Sequence, residues 1–346
     1  MSEKQLSEAG YRVAVVGATG AVGREMLSML EDSPLPVREI VPLASARSAG
    51  STVTCLGRDW TVRELTHDSF AGIDLALFSA GGGRAKEFAP SAVKAGCVVV
   101  DNSSAWRMDP TVPLVVPEVN AHHLDAHKGI IANPNCSTIQ MLLPLKALHD
   151  AVGLKRVVVS TYQSASGAGQ SGIDELLAVT RDALDGKPLT HKTFSRPIAF
   201  DVIPQIGTFE PSGYTNEEDK MIFETRKMME LPELPVSATC VRVPVVRGHL
   251  ESVTVDLAAP LTAARAREVM AAFPGLVVMD DPANLVFPTA PDCVGRRETF
   301  VGRIREDNTL SATLHFWVVS DNLWKGAAWN AVQIAEVLHE RGLVRV

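Results

Sequence analysis

Short apolar runs separated by polar turns pattern the first 135 residues. Tyr11 to Val16 is a β-branched run ending at Gly17, and the stripe Met26, Leu27 and Leu30 predicts a helix over 23–30. Further runs follow at 37–43, 74–78, 98–101, 114–116 and 130–132. They are near-continuous rather than alternating, as strands covered on both faces of a parallel sheet are. Strands interleaved with helices predict βαβ units and a doubly wound sheet.

The periodicity changes after Cys136. A helix is expected over 137–149, then longer strands over 154–163, 237–246, 249–257, 299–305 and 310–319. Several alternate apolar with polar, which suits an antiparallel or mixed sheet with one covered face. Helices over 173–184 and 263–272 are available to cover it. The 242 and 249 positions are expected on two strands of a hairpin turning around 246–248. Residues 185–235, rich in proline, glycine and charge, read as a long excursion. The segment 323–341 reads as a helix, with Ala327, Ala328, Ala331, Ile334, Ala335 and Leu338 in one stripe.

A length of 346 residues is about two domains' worth. The formal net charge of −7 weighs against a nucleic-acid or anionic-membrane partner, because both select basic surfaces. No apolar run approaches the roughly 18 to 20 residues of a membrane span. The first eight residues mix both charge signs without an apolar core, so no signal peptide is expected. Five cysteines, with no Cys-x-x-Cys, argue against a disulfide framework or a zinc site. A reducing cytoplasm and no metal are therefore expected.

Gly17-Ala-Thr-Gly20-Ala-Val-Gly23 lies between a strand and a helix. Glycines there let the backbone approach a pyrophosphate, and the helix start offers unpaired N–H donors. The second strand leads into Ser45, Arg47 and Ser48, with no acidic residue to hold a ribose hydroxyl. An arginine with hydroxyls suits a 2′-phosphate, so NADP is the expected cofactor. Ser79-Ala80-Gly81 is a second loop expected along it.

Asn133-Pro-Asn-Cys136-Ser-Thr places a cysteine where a strand becomes a helix. A helix N-terminus stabilises thiolate, the nucleophile of acyl transfer, and its free N–H groups suit an oxyanion. Cys55, Cys97, Cys240 and Cys293 are expected as small buried apolar residues. A nucleophilic cysteine with a nicotinamide implies aldehyde oxidation through a thioester, or its reverse. Of nine histidines, His249 ranks first as the base, because it opens a strand after a glycine turn.

Together these features resemble the aspartate-β-semialdehyde dehydrogenase family. The resemblance also rests on Asp101-Asn-Ser-Ser-Ala-Trp-Arg107, Ser160-Thr-Tyr-Gln163 with Ser166-Gly-Ala-Gly169, Tyr214-Thr-Asn-Glu-Glu, Cys240-Val-Arg242-Val-Pro, Gly248-His249 and Val318-Val-Ser-Asp-Asn-Leu-Trp-Lys-Gly-Ala-Ala328. It runs from about Val13 to the C-terminus. The family's fold implies an α/β Rossmann-type domain, 1–134 completed by 322–346, plus an α+β substrate and dimerisation domain, 135–321. The family's activity is NADPH-dependent reduction of L-4-aspartyl phosphate to L-aspartate 4-semialdehyde by a homodimer, a step toward lysine, diaminopimelate, threonine, methionine and isoleucine.

By resemblance, Cys136 forms the acyl-enzyme, His249 is the acid–base group and Gln163 orients the thioester. Arg242 binds the substrate carboxylate and Glu217 its ammonium, while Arg107 and Lys220 hold phosphate. Gly17, Thr19, Gly20, Ala21, Val22, Ser45, Arg47, Ser48, Ser79, Ala80, Gly81, Ser166, Gly167 and Asn322 line the cofactor. Leu250 follows His249 where the family often has Ser. Two rival readings are N-acetyl-γ-glutamyl-phosphate reductase, whose cysteine typically sits in Gly-Cys-Tyr-Pro, and a catalytically silent paralogue, which would tend to lose Cys136 or His249.

Overall fold

A computed structural model describes residues 6–345. One compact unit comprises the described residues up to Asn135 together with those from Ala327, and the other is Cys136 to Gly326. Residues 322–326, expected with the first unit, therefore stand with the second. The reason is local: Asn322 Oδ1 accepts hydrogen bonds from Ser164 Oγ, Ser166 Oγ and the Gly248 N–H.

In the first unit the strands are β1 (Tyr11–Val16), β2 (Val37–Ala44), a hairpin β3 (Thr52–Cys55) and β4 (Arg58–Thr61), β5 (Arg63–Glu64), β6 (Leu75–Phe78), β7 (Val98–Asp101) and β8 (Ile130–Ala132). The sheet order is β5-β2-β1-β6-β7-β8, all parallel. Leaving out the hairpin, which the apolar pattern did not reveal, this is chain order 3-2-1-4-5-6. That order puts a topological switch point beyond the carboxyl ends of β1 and β6, where dinucleotides bind. Every residue of β6 and β7 is buried, which explains their uninterrupted apolar runs. The helix Gly82–Lys94 packs Ala85, Phe88 and Ala89 into one cluster with Val16, Phe78 and Val99.

The final helix, Trp329–Glu340, belongs to this unit and buries Ala331, Ile334, Ala335 and Leu338. A π-helical turn at Trp324–Ala328 precedes it, so the expected helix over 323–341 opens with a widened turn. The run at 114–116 is not a strand. Pro113 and Pro117 flank it and cannot donate to a ladder, so only an isolated bridge from Leu114 to Ala132 forms.

The second unit is built on β9 (Leu154–Gln163), β10 (Val236–Arg242), β11 (His249–Leu257), β12 (Leu276–Val278), β13 (Thr299–Glu306) and β14 (Thr313–Ser320), in the order β10-β9-β11-β14-β13-β12. Pairing is mixed: β10 runs parallel to β9, while β9, β11, β14 and β13 alternate in direction. Along β11, His249, Glu251, Val253, Val255 and Leu257 are buried and the residues between them half-buried, so one face is covered. Helices Cys136–Val152, Asn216–Met228 and Ala263–Ala271 pack in this unit. The first is buried almost all round, from Ser137 to Leu145 without a break.

Two sequence expectations fail here. β10 and β11 are not a hairpin; β9 lies between them and pairs with both. The chain crosses over β9 because β10 runs parallel to β9 and β11 antiparallel to it, so β10 and β11 point in opposite directions without pairing. The excursion 185–235 also contains the helix Asn216–Met228. Its start is fixed by a capping box in which the Thr215 hydroxyl accepts from the Glu218 N–H and the Glu218 carboxylate accepts from the Thr215 N–H.

Candidate active site

The first unit supplies an anion cleft. Gly17 has φ of +87°, and a Cβ there would stand 2.6 Å from the Ser79 carbonyl oxygen. A Cβ on Gly23 would stand 2.2 Å from the Gly17 carbonyl oxygen, so both positions require glycine. The loop leads into the helix Ala21–Asp32, whose first N–H groups have no intrahelical acceptors. Beside it lies a cleft of about 240 Å³ lined by Gly17, Thr19, Gly20, Ser45, Arg47, Ser48, Ser79 and Ala80. Ala44, Leu65 and Arg84 complete the lining, and sequence reasoning missed all three. Arg84 stands in the first turn of the helix after the glycine run 81–83, a signal that was available. Ala21, Val22 and Gly81 are not among the lining residues. Two guanidinium groups, several hydroxyls and a helix start form a donor set without acid, which fits a phosphorylated dinucleotide.

Arg107 also lies in the first unit and is buried. Its Nε donates to the Asn133 carbonyl at 2.9 Å and its Nη2 to the Asn102 carbonyl at 2.8 Å. Both are main-chain acceptors, which orient the guanidinium. Its positive charge offsets part of the burial that raises the Asp101 carboxyl above its ordinary range.

The second unit gathers the other polar side chains. Cys136 is the first residue of the helix Cys136–Val152, half-buried and in no disulfide. A Cβ on Gly326 would stand 2.9 Å from the Cys136 Cβ, so the π-helical turn closes against the cysteine. The other four cysteines are buried, and burial raises the thiols of Cys97, Cys240 and Cys293, the last to about 12. Cys97, Cys240 and Cys293 therefore stay protonated at neutral pH.

His249 and Arg242 approach from the two sides of β9. The residue that follows that strand, Ser164, holds both. Arg242 Nη1 donates to the Ser164 carbonyl at 2.6 Å, and the Ser164 N–H donates to His249 Nδ1 at 3.1 Å. A Cβ on Gly167 would stand 2.9 Å from Arg242 Nη1 and 3.1 Å from His249 Nε2, so the absent side chain leaves room for both. Arg242 also stands over the Phe194 ring, 5.7 Å from its centroid. Its guanidinium is easier to deprotonate than usual because it is buried; Glu217 and a Cys136 thiolate act in the opposite sense. The Arg242 and Cys136 charges are therefore coupled.

His249 is wholly buried, and its pKa falls to about 3: burial dominates, Arg242 adds repulsion and Glu217 opposes it. The imidazole is neutral at physiological pH. Glu217 is buried; its carboxylate accepts from Lys220 Nζ at 2.9 Å and, more weakly, from Gln163 Nε2 at 3.4 Å. Ser166 and Asn322, expected along the cofactor, are tied to each other and to Ser164 behind the histidine. Leu250 points to the opposite face of β11 from His249 and packs with Cys293, Phe300 and Val319, so a leucine there does not touch the imidazole's support.

Known proteins resemble this chain in sequence and fold. The family described as semialdehyde dehydrogenase, NAD binding domain, matches residues 12–127, and its dimerisation domain matches residues 145–325. The aspartate-semialdehyde dehydrogenase of Aquifex aeolicus is 52% identical over 339 residues, spanning 97% of this chain and 100% of that protein. That of Bacillus subtilis is 49% identical over 343 residues, spanning 97% and 99%. Among solved structures, aspartate semialdehyde dehydrogenase II from Vibrio cholerae complexed with ASA has a TM-score of 0.94 at 46% identity, covering 96% of this chain and 99% of that one. The Candida albicans enzyme with NADP has a TM-score of 0.76 at 27% identity, covering 97% and 100%. With the parallel nucleotide-binding sheet, the mixed second sheet and Cys136 at a helix start, these likenesses have one reading: the chain belongs to the aspartate-semialdehyde dehydrogenase family.

Proposed function

We propose that this chain reduces L-4-aspartyl phosphate to L-aspartate 4-semialdehyde and phosphate with NADPH, through a thioester on Cys136. The observation that carries the reading is the one half-buried cysteine, outside any disulfide and at a helix start, electrostatically coupled to Arg242, a guanidinium that Ser164 holds together with a neutral histidine. Gly17, Thr19, Gly20, Ser45, Arg47 and Ser48 would hold the dinucleotide, with the guanidinium of Arg47 favouring the 2′-phosphate. When bound, the reduced nicotinamide supplies the hydride that converts the thioester to a thiohemiacetal.

The chain's own residues do the rest. The Cys136 sulfur attacks the acyl carbon, the carbon–oxygen bond to phosphate breaks, and phosphate leaves with that bond's electrons. Arg242 pairs with the substrate carboxylate, where a planar fork gives two parallel hydrogen bonds. Glu217 receives the substrate ammonium, and Arg107 and Lys220 hold the phosphate. His249 Nε2 hydrogen-bonds the tetrahedral oxygen; as the carbonyl re-forms, the carbon–sulfur bond breaks and the thiolate returns. In the oxidative direction His249 takes the thiohemiacetal hydroxyl proton. Cys136 must stay a free thiol, so the setting we propose is a reducing cytoplasm, with the enzyme a homodimer.

The test is a phosphate-dependent assay with NADP. Aspartate semialdehyde should be oxidised and its N-acetylated glutamate homologue should not. Turnover of the acetylated substrate alone would assign the chain to the reductase class instead.

A further inference from the structure

The cleft of the first unit has two chemical halves. The glycine loop, the hydroxyls and the Arg47 guanidinium make the polar half, and Ala44, Leu65 and Ala80 make the apolar one. Ala44 ends β2, and its carbonyl accepts from the Leu65 N–H at 2.8 Å; Ala80 follows β6 by two residues. Leu65 and Ala80 are half-buried and pack on the same core cluster, so both present apolar surface to the cleft.

Arg84 also lines the cleft, and it is exposed. It stands in the first turn of the helix Gly82–Lys94, a turn without an acidic residue. The positive end of the helix dipole opposes a cation there. Glu87, three residues on, is spaced to pair with it. Yet the Arg84 guanidinium has no hydrogen bond, ion pair or ring contact among the described residues. A side chain that runs against its local setting without compensation from its neighbours points to compensation from a ligand.

The polar half already serves the charged parts of a dinucleotide. The glycine loop suits the pyrophosphate, and Arg47 with Ser48, following β2, stands where the 2′ position of the ribose is read. The sheet order β2-β1-β6 puts Arg84, from the segment after β6, across the glycine loop from Arg47. What remains of the adenosine end is a flat base. What remains of the lining is apolar surface and an unengaged planar cation. A base resting on the apolar surface has its second face open to water, and a guanidinium covers a π face as readily as it pairs with an anion.

We propose that Arg84 stacks on the adenine ring of the bound dinucleotide, against the apolar surface of Ala44, Leu65 and Ala80, and strengthens binding without choosing between NADP and NAD. This deepens the reading of the cleft as the dinucleotide site and rests on it. The two arginines then have separate duties: Arg47 discriminates between the cofactors, and Arg84 adds affinity common to both.

Calorimetric titration of wild type, Arg84→Ala and Arg84→Lys with NADP and with NAD tests this without any turnover. Because Arg84 is exposed, both variants should fold as wild type does, which circular dichroism checks. About 0.5 M KCl screens the general loss of one positive charge. Arg84→Ala should raise Kd for NADP and for NAD by the same factor, roughly tenfold. Arg84→Lys keeps the charge without the plane and should recover little of the loss. A loss confined to NADP would make Arg84 a second reader of the 2′-phosphate and overturn the proposal, as would full recovery by lysine. If wild type binds neither dinucleotide, the reading of the cleft falls and the proposal with it. If wild type binds them and Arg84→Ala binds them equally well, the stacking role falls alone.

Discussion

Glu251 offers the sharpest test of how the second unit is held together. Its side chain is wholly buried on β11, on the same face as His249 two residues earlier. Thr161 of β9 and Val318 of β14 stand opposite it in register. Gln140 from the helix Cys136–Val152 is the polar group beside it, and Cys240 of β10 is within electrostatic reach. Neither Glu251 oxygen has a hydrogen-bond partner of normal geometry among the described residues. Burial therefore holds the carboxyl well above the usual carboxylate range, with the Gln140 amide offsetting only part of the effect.

The sign of the consequence follows from linkage. Below the unfolded value near 4.5 the group is protonated in both states and makes no difference. Above it the unfolded chain releases the proton first, so folding must take one up and stability falls as pH rises. The slope is about 1.4 kcal/mol per pH unit for one proton, until the folded carboxyl itself ionises. Glu251→Gln keeps the shape and removes the proton. The stability of Glu251→Gln minus that of wild type should therefore grow as pH rises above about 4.5, with a slope that approaches about 1.4 kcal/mol per pH unit. Taking the difference cancels every other titrating group. Urea unfolding of both proteins, followed by circular dichroism at half-unit pH steps, measures it, and the pH where the difference levels off reads the folded pKa. A difference that stays flat across that range would refute the reasoning, since it would mean that Glu251 ionises in the folded protein as it does in water.

Three further outcomes are expected. Cys136→Ala should lower kcat by roughly 10⁴-fold or more while NADP binding, followed by fluorescence, stays near normal; loss of stability with normal turnover per folded molecule would make Cys136 a core residue instead. Arg47→Leu should raise KM for NADP roughly tenfold and leave that for NAD unchanged, because only the former carries the 2′-phosphate; equal effects would remove Arg47 from phosphate reading. Arg107→Ala should mainly raise KM for phosphate, whereas Arg242→Ala should raise KM for the semialdehyde and also lower kcat, since a loosely held substrate reacts in poor geometry. An effect of Arg107→Ala on semialdehyde KM alone would reverse that assignment.

What the sequence by itself determined is what short-range physics controls. The run Tyr11–Val16, the glycines at 17, 20 and 23 and the helix after them form a contiguous segment. Its strand, turn and helix follow from β-branching, from glycine at crowded positions and from apolar spacing. The place of Cys136 at a helix start is likewise local, because a polar Asn-Pro-Asn turn before an apolar stretch positions the first helical turn. Where composition hid the local signal, as in the charged opening of Asn216–Met228, the capping residues Thr215 and Glu218 carried it and the pattern of hydrophobicity did not.

Tertiary structure alone decided how those segments meet. Residues 242 and 249 are close in sequence and suggest a hairpin, yet β9 lies between their strands. Strand pairing is settled by which backbone edges satisfy one another across the sheet, and no nearest-neighbour preference encodes that. The insertion of β9 is what puts Ser164 between Arg242 and His249, with its carbonyl on one and its N–H on the other. Glu251 shows the same limit. Alternation along β11 marks it as inward-facing, but a glutamate at such a position reads as surface until Gln140, Thr161 and Val318 are known to enclose it. Burial of a charge-capable group is a property of everything packed around it, and for Glu251 those neighbours come from three elements distant in the chain.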